Sequence, residues 1–229
     1  MKYIITLFLV FFTLFSFSQT IRYRIQGKVK DTSEVNFVYL ASLPKKLPST
    51  TLEIFKVVSI KNGEFEFNGS CNLDEDLFKY GILFMDKRPN VTDKEVLSKL
   101  SNLIWVAGRE DNLKRILFED MQLQIENSDR MRTSTIVDGG ILTRQKDELA
   151  KIYTDGNKQL VEFIRKYPDS PLSLDALALL TEIINIKNKD RLENKAGMPP
   201  NEMYNLLSDR LKKSKNGISL KTELKTKYP

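Results

Sequence analysis

The chain contains no histidine, one cysteine and one tryptophan, and these shortages remove most of the usual enzymatic chemistries. Without histidine there is no Ser-His-Asp or Cys-His nucleophile pair, and no imidazole to ligate a metal. A single cysteine, Cys71, excludes an internal disulfide, a Cys-x-x-Cys redox pair and a thiolate zinc cage. No Gly-x-x-x-x-Gly-Lys-Ser/Thr loop is present to cradle a phosphate. Beyond the N-terminus, no apolar run approaches the roughly 20 residues of a membrane-spanning helix. The expectation is a chain that is not an enzyme, with no catalytic, cofactor-binding or metal-ligating residue to assign and no cofactor.

Carboxylates remain as a catalytic resource, because two of them can hydrolyse a glycoside. Asp74, Glu75 and Asp76 form one cluster, and Glu119 and Asp120 another. Both lie beside strand-like stretches where solvated turn residues are expected, and neither fits the twelve-residue calcium-loop spacing. Trp105 sits in the apolar patch Leu103–Ala107 and reads as core or interface rather than a sugar-stacking platform. Cys71 follows a strand-like stretch and reads as a small buried filler rather than a reactive thiol. Asn68-Gly69-Ser70 and Asn90-Val91-Thr92 match the glycosylation triplet, which is short enough to arise by chance.

The N-terminus carries a positive residue, Lys2, then a short apolar run from Ile4 to Phe15. Small residues follow at Ser16 and Ser18, before Gln19. That order is the pattern of a signal peptide over residues 1–18, and it places the mature chain in the periplasm or cell envelope. The alternative is an uncleaved anchor. No cysteine follows the run, so lipid attachment there is not expected. About 210 residues then remain, enough for one domain or two small ones.

The net charge of +6 is unevenly placed. Residues 187–229 carry 11 Lys/Arg against 5 Asp/Glu, whereas residues 20–186 carry 24 against 25. A C-terminal basic segment could make weak contact with an anionic membrane surface, or it could be a solvated helical face. No nucleic-acid partner is expected, because no aromatic residues are interleaved with these lysines.

The first half reads as strands. Thr20 to Lys30 alternates strictly, as a half-buried antiparallel strand does. Val35–Leu43 and Leu52–Ile60 are rich in β-branched and aromatic residues, with a proline-bounded loop over Pro44–Pro48 between them. Lys61-Asn62-Gly63-Glu64 predicts a tight hairpin leading into the alternation of Glu64–Asn68. Leu77–Met85 is almost continuously apolar and predicts a strand buried on both faces. Thr92–Leu103 has helical spacing. Strands return at Ile116–Phe118, at Met121–Ile125, and at Arg132–Val137 before Gly139-Gly140.

The period then becomes helical from Leu149 to Tyr167, with Gly156 a weak point. Ser170 and Pro171 predict the cap and first turn of a largely buried helix over Leu172–Ile186. A polar stretch from Asn185 to Gly197 leads to a third helix over Asn201–Lys213, followed by Gly217 and a short amphipathic tail. Strands first and helices after predict an α+β fold. The expected division is an antiparallel β-sandwich or barrel-like domain over residues 20–139 and a helical region over residues 140–229.

Several stretches together resemble a family of exported proteins of the Bacteroidetes. Its members begin with the β-rich domain DUF4369, and many continue through helices into a thioredoxin-like domain of the TlpA/AhpC type. The matching stretches are residues 25–30 (IQGKVK), 38–40 (VYL), 61–69 (KNGEFEFNG) and 117–125 (LFEDMQLQI). In the helical part, residues 163–171 (FIRKYPDSP) are similar to the family's linker helices. Residues 206–211 (LLSDRL), with Ser214 and Gly217, are similar to the segment that precedes the thioredoxin-like domain. The family's active-site dithiol belongs to a domain expected beyond Pro229, so no catalytic residue carries over to this chain. The resemblance implies a non-catalytic binding or interaction module of the cell envelope. Its alternative is the accessory part of a thiol-disulfide oxidoreductase system with a thioredoxin-like partner.

Overall fold

Strict alternation makes the first strand one-sided. In β1 (Thr20–Val29), Tyr23, Ile25 and Val29 are buried, while Arg22, Arg24 and Lys28 face solvent. The computed structural model describes residues 19–32, 35–44, 49–73, 76–102, 111–154, 159–183 and 197–227. The expectations for the signal peptide over residues 1–18, for Asp74 and Glu75, for Trp105 and for Gly156 all lie outside the described residues. So does most of the stretch from Asn185 to Gly197.

Two four-stranded sheets stack face to face in an α+β fold. The first has the order β4 (Glu64–Asn72), β1, β7 (Met121–Ile125), β8 (Thr135–Gly139). The second has the order β3 (Phe55–Ser59), β2 (Phe37–Ser42), β5 (Tyr80–Asp86), β6 (Leu113–Leu117). Tyr23, Ile25, Phe67 and Leu123 from the first sheet meet Val38, Leu40, Leu83 and Ile116 from the second in one apolar interior. Cys71 lies in the same interior, where burial pushes its thiol pKa up.

β1 corrects the purely antiparallel expectation. It pairs antiparallel with β4, Ile25 opposite Phe67, but parallel with β7, Ile25 opposite Met121. A central strand takes a neighbour on each side, and alternation alone does not fix their direction.

The predicted hairpin is corrected in a different way. The turn itself forms as expected. Asn62 and Gly63 hold φ of 51° and 75°, and Lys61 and Glu64 exchange two 2.9 Å backbone hydrogen bonds. A Cβ at Gly63 would stand 2.9 Å from the Val29 carbonyl oxygen, so the site takes glycine for space as well as for φ. The pairing then stops. β3 stays with β2 in the second sheet, whereas β4 runs along β1 in the first. The turn is therefore a corner between sheets.

The second sheet is covered on both faces, which explains its near-continuous apolar runs. Leu83 and Met85 of β5 point inward, and Ile82 and Phe84 point outward. At one end of the outer face lies α1 (Asp93–Ser101), contributing Val96 and Leu100. There Tyr39 stacks on Phe84 at 4.8 Å, and its hydroxyl donates to the Arg88 carbonyl at 2.6 Å.

At the other end of that face the helices pack. They are α2 (Ile141–Thr154), α3 (Leu160–Lys166), α4 (Pro171–Ile183), α5 (Pro200–Leu206), α6 (Asp209–Lys213) and α7 (Lys215–Lys227). Leu117 belongs to their core, and Leu77, Phe78 and Tyr80 pack against it. The boundary expected at Gly139 falls after the last described strand, although α1 precedes it, and the apolar cores on its two sides interlock. Both Gly139 and Gly140 have positive φ, and a Cβ at Gly139 would meet the Asp120 carbonyl oxygen at 2.2 Å. This pair turns the chain from β8 into α2.

One helical boundary matches expectation and others are corrected. Ser170 accepts from the Leu172 amide at 3.3 Å, and Pro171 opens α4, as expected. The helix expected over Asn201–Lys213 is instead divided, because Leu207 and Ser208 are extended and the Ser208 hydroxyl caps α6 through the Leu211 amide. Gly217 does not end a helix. It lies inside α7, where a Cβ would collide with the Leu211 carbonyl oxygen at 2.0 Å. The strand expected over Arg132–Val137 begins only at Thr135, behind a 3₁₀ segment over Ser128–Thr133.

Candidate functional site

The outer face of the second sheet is left uncovered between α1 and α4, and a groove of about 1340 Å3 opens there. Its floor is Tyr80 of β5 and Arg115 of β6. Leu174, Asp175 and Ala178 of α4 make one wall, and the Ser42–Pro44 and Ser49–Glu53 segments make the other. Leu77 and Phe78 close it on the side of the helices.

Pairing register sets which residues reach it. Along β6, Leu113 meets the α1 core, Ile116 the inter-sheet interior and Leu117 the helical core. Alternation puts Arg115, opposite Ile82, on the outer face and Lys114 on the inner one.

These adjacent cations have opposite circumstances. Lys114 is 6% exposed, and its ammonium donates to Asp147 Oδ2 at 3.2 Å and to the carbonyls of Arg132 and Ser134 at 3.4 Å. Arg115 is half-buried, and no hydrogen bond or ion pair holds its guanidinium among the described residues. Burial, then the nearby Arg132 charge, lowers its pKa. Lys146 on α2 lies close by. Burial first, with Arg115 and Lys114 adding repulsion, brings its pKa down to about 8 against the pull of Asp147.

The opposite side of the groove is acidic and phenolic. The Tyr80 hydroxyl hydrogen-bonds the Asp175 carboxylate, and burial raises the pKa of both groups. Tyr153 of α2 is pushed up to about 12 by burial and by the Asp175 charge. Both phenols therefore stay neutral near pH 7 and can donate hydrogen bonds. Lys79, 7% exposed, pairs with Glu53 and donates to the Asn72 carbonyl at 2.7 Å, so its charge is already matched.

The acidic clusters singled out from sequence divide. Asp76 lines the groove. Glu119 and Asp120 lie in the bend between β6 and β7, as expected, and each also binds backbone amides. Glu119 caps α2, accepting from the Leu142 and Thr143 amides at 3.0 and 2.7 Å and from the Thr143 hydroxyl at 2.8 Å. Asp120 accepts from the Arg24 amide at 2.7 Å. Asn68 and Asn90 are exposed, and the Asn68 side chain donates to Glu66. Some C-terminal cations fix helices: Arg210 pairs with Asp169 at 2.9 Å and Lys227 with Glu223 at 2.7 Å.

Sequence reasoning missed Tyr80, Arg115, Lys146 and Asp175. The signal for Arg115 was a pair of cations, Lys114 and Arg115, between apolar residues in 113–117 (LKRIL), and for Asp175 a single charge within 172–180 (LSLDALALL). Among the described residues, no group of three or more Cys, Asp or Glu is placed to hold a metal ion. No described helix is long and apolar enough to cross a membrane. No known family model matches the chain, and no curated protein matches it.

Proposed function

We propose that the chain is an exported, non-catalytic binding module of the bacterial cell envelope, and that its ligand occupies the groove between the second sheet and α4. The observation that carries this reading is the groove itself: a concave, largely apolar surface with a few converging polar groups, the usual form of a ligand site. Export is supported by the order of Lys2, the apolar run and Ser16 and Ser18. Assignment to the DUF4369 group is supported by the order of the matching stretches along the chain.

The test is a fragment screen on isotopically labelled mature protein by NMR. Shifts gathering on Tyr80, Leu174 and Ala178 are expected. Binding confined to another surface, or vigorous turnover of peptide, glycoside or disulfide substrates, would overturn the proposal. The same order of stretches favours a second reading, an accessory role beside a thioredoxin-like oxidoreductase. Copurification with a Cys-x-x-Cys protein supports that role, and a solitary species after crosslinking in cells counts against it.

A further inference from the structure

Arg115 is the anomaly of the groove. Placing a guanidinium in a desolvated position costs free energy unless an anion compensates it. Its neighbours do not provide one: Arg132 and Lys146 add positive charge, Asp111 is 3.4 Å from Arg132, and Asp147 is held by Lys114. The carboxylates that line the groove are engaged elsewhere, Glu53 with Lys79 and Asp175 with Tyr80. Arg115 is thus left without a counter-charge among the described residues, and the carboxylate that attracts its neighbour Lys146, Asp147, is already paired with Lys114. Away from them the groove is walled by Leu77, Leu174 and Ala178, with Asp76 and Asp175 along it. Those two carboxylates would repel a second negative charge, so the complementary ligand has one.

Resting on the groove reading above, we propose that the site takes a singly charged anionic amphiphile. Its carboxylate or phosphate head pairs with the fork of Arg115, supported by Lys146, and its apolar body lies along Leu174 and Ala178. A planar guanidinium suits this role, because it meets either head group with two parallel hydrogen bonds.

The test is isothermal titration of the mature chain with dodecanoate, dodecyl phosphate monomethyl ester, acetate, inorganic phosphate, dodecanol and dodecyltrimethylammonium, each below its micelle concentration. Dodecanoate or the phosphate ester is expected to bind, and their ratio identifies the head group. The small anions, which lack the apolar body, and the alcohol and the cation, which lack the anionic head, are expected to bind at least about tenfold more weakly. Arg115→Gln should weaken the anionic amphiphile by about tenfold or more. Arg115→Lys should fall between, and Ala178→Trp should abolish binding by filling the groove. Circular dichroism selects the variants that fold; Lys146→Gln, on the half-buried flank of the site, should give a smaller loss in the same direction. Equal binding of dodecanol would leave a groove that binds neutral ligands and would overturn the anionic inference alone. Equal binding of acetate, or unchanged affinity in both Arg115 variants, would overturn it as well. Absence of any ligand in the groove would overturn this inference and the binding module together.

Discussion

The two faces of the second sheet are built to different standards. Its inner face closes on the first sheet with apolar side chains, and the ammoniums that border it are held: Lys114 reaches a carboxylate and two carbonyls, and Lys56 the Asn68 carbonyl. Its outer face, between α1 and α4, holds Arg115, Lys146, Tyr80 and Asp175 in partly desolvated positions with fewer partners. On the inner face the charge is matched, although the Tyr23 hydroxyl is buried there without a hydrogen-bond partner among the described residues. The unmatched charge of Arg115 lies instead in the groove, where a ligand would complete the site, and such sites are kept at some expense of stability.

The comparison can be broken most forcefully from the inner face. Phe67 is 2% exposed at its centre, and Phe67→Ala should lose about 3–5 kcal/mol in urea denaturation, the typical cost of an aromatic cavity. A loss under about 1 kcal/mol would mean that the inter-sheet interior is not the main source of stability.

At the junction between sheet and helices, Glu119→Ala should cost about 1–2 kcal/mol, because it strips the cap from α2. Thr143 should matter comparably. Its hydroxyl also accepts from the Leu117 amide at 3.1 Å, tying β6 to α2.

On the outer face the expected changes are smaller and can have the other sign. Asp175→Asn keeps an acceptor for Tyr80 and removes a charge whose pKa is raised by burial, so it should leave stability near pH 7 unchanged or slightly higher.

Lys146 sharpens the comparison through pH. Its folded pKa of about 8 lies below the ordinary lysine value of about 10.4, so the unfolded chain binds the extra proton between these limits. Stability from this group is present above about pH 10.4 and is lost as pH falls through about 8. The difference in Tm between wild type and Lys146→Met should therefore move in favour of wild type from pH 8 to 10. Tyr80 and Tyr153, whose pKa values are raised, act oppositely once pH passes about 10, which closes the useful window. A flat difference across that range would mean that Lys146 is well solvated.

Much of the architecture was legible in the sequence because it rests on local chemistry. Alternation in residues 20–30 placed β1, Asn62-Gly63 placed a turn with two positive φ values, and Ser170-Pro171 placed the start of α4. What failed depended on partners distant in the chain. That β3 and β4 belong to different sheets is decided by pairing with β2 and β1, which the turn does not encode. The break at Leu207-Ser208 depends on the Ser208 amide reaching the Pro168 carbonyl at 2.8 Å, a contact between helices.

The site was less legible still. A sequence scan weighs clustered carboxylates such as Glu119-Asp120, which turn out to anchor backbone amides. It passes over Arg115 beside Lys114 within a strand, or a lone Asp175 within an apolar helix. Their meaning appears only when register and helix packing bring them to one groove.

The most direct measurement compares neighbours on β6: urea denaturation of Lys114→Met and Arg115→Gln without ligand. Lys114→Met should lose about 1–3 kcal/mol, since it strands Asp147 and two carbonyls. Arg115→Gln should hold or gain stability, because it removes a desolvated charge that has no partner. Equal losses from both would contradict the contrast between the faces and mean that Arg115 serves the fold.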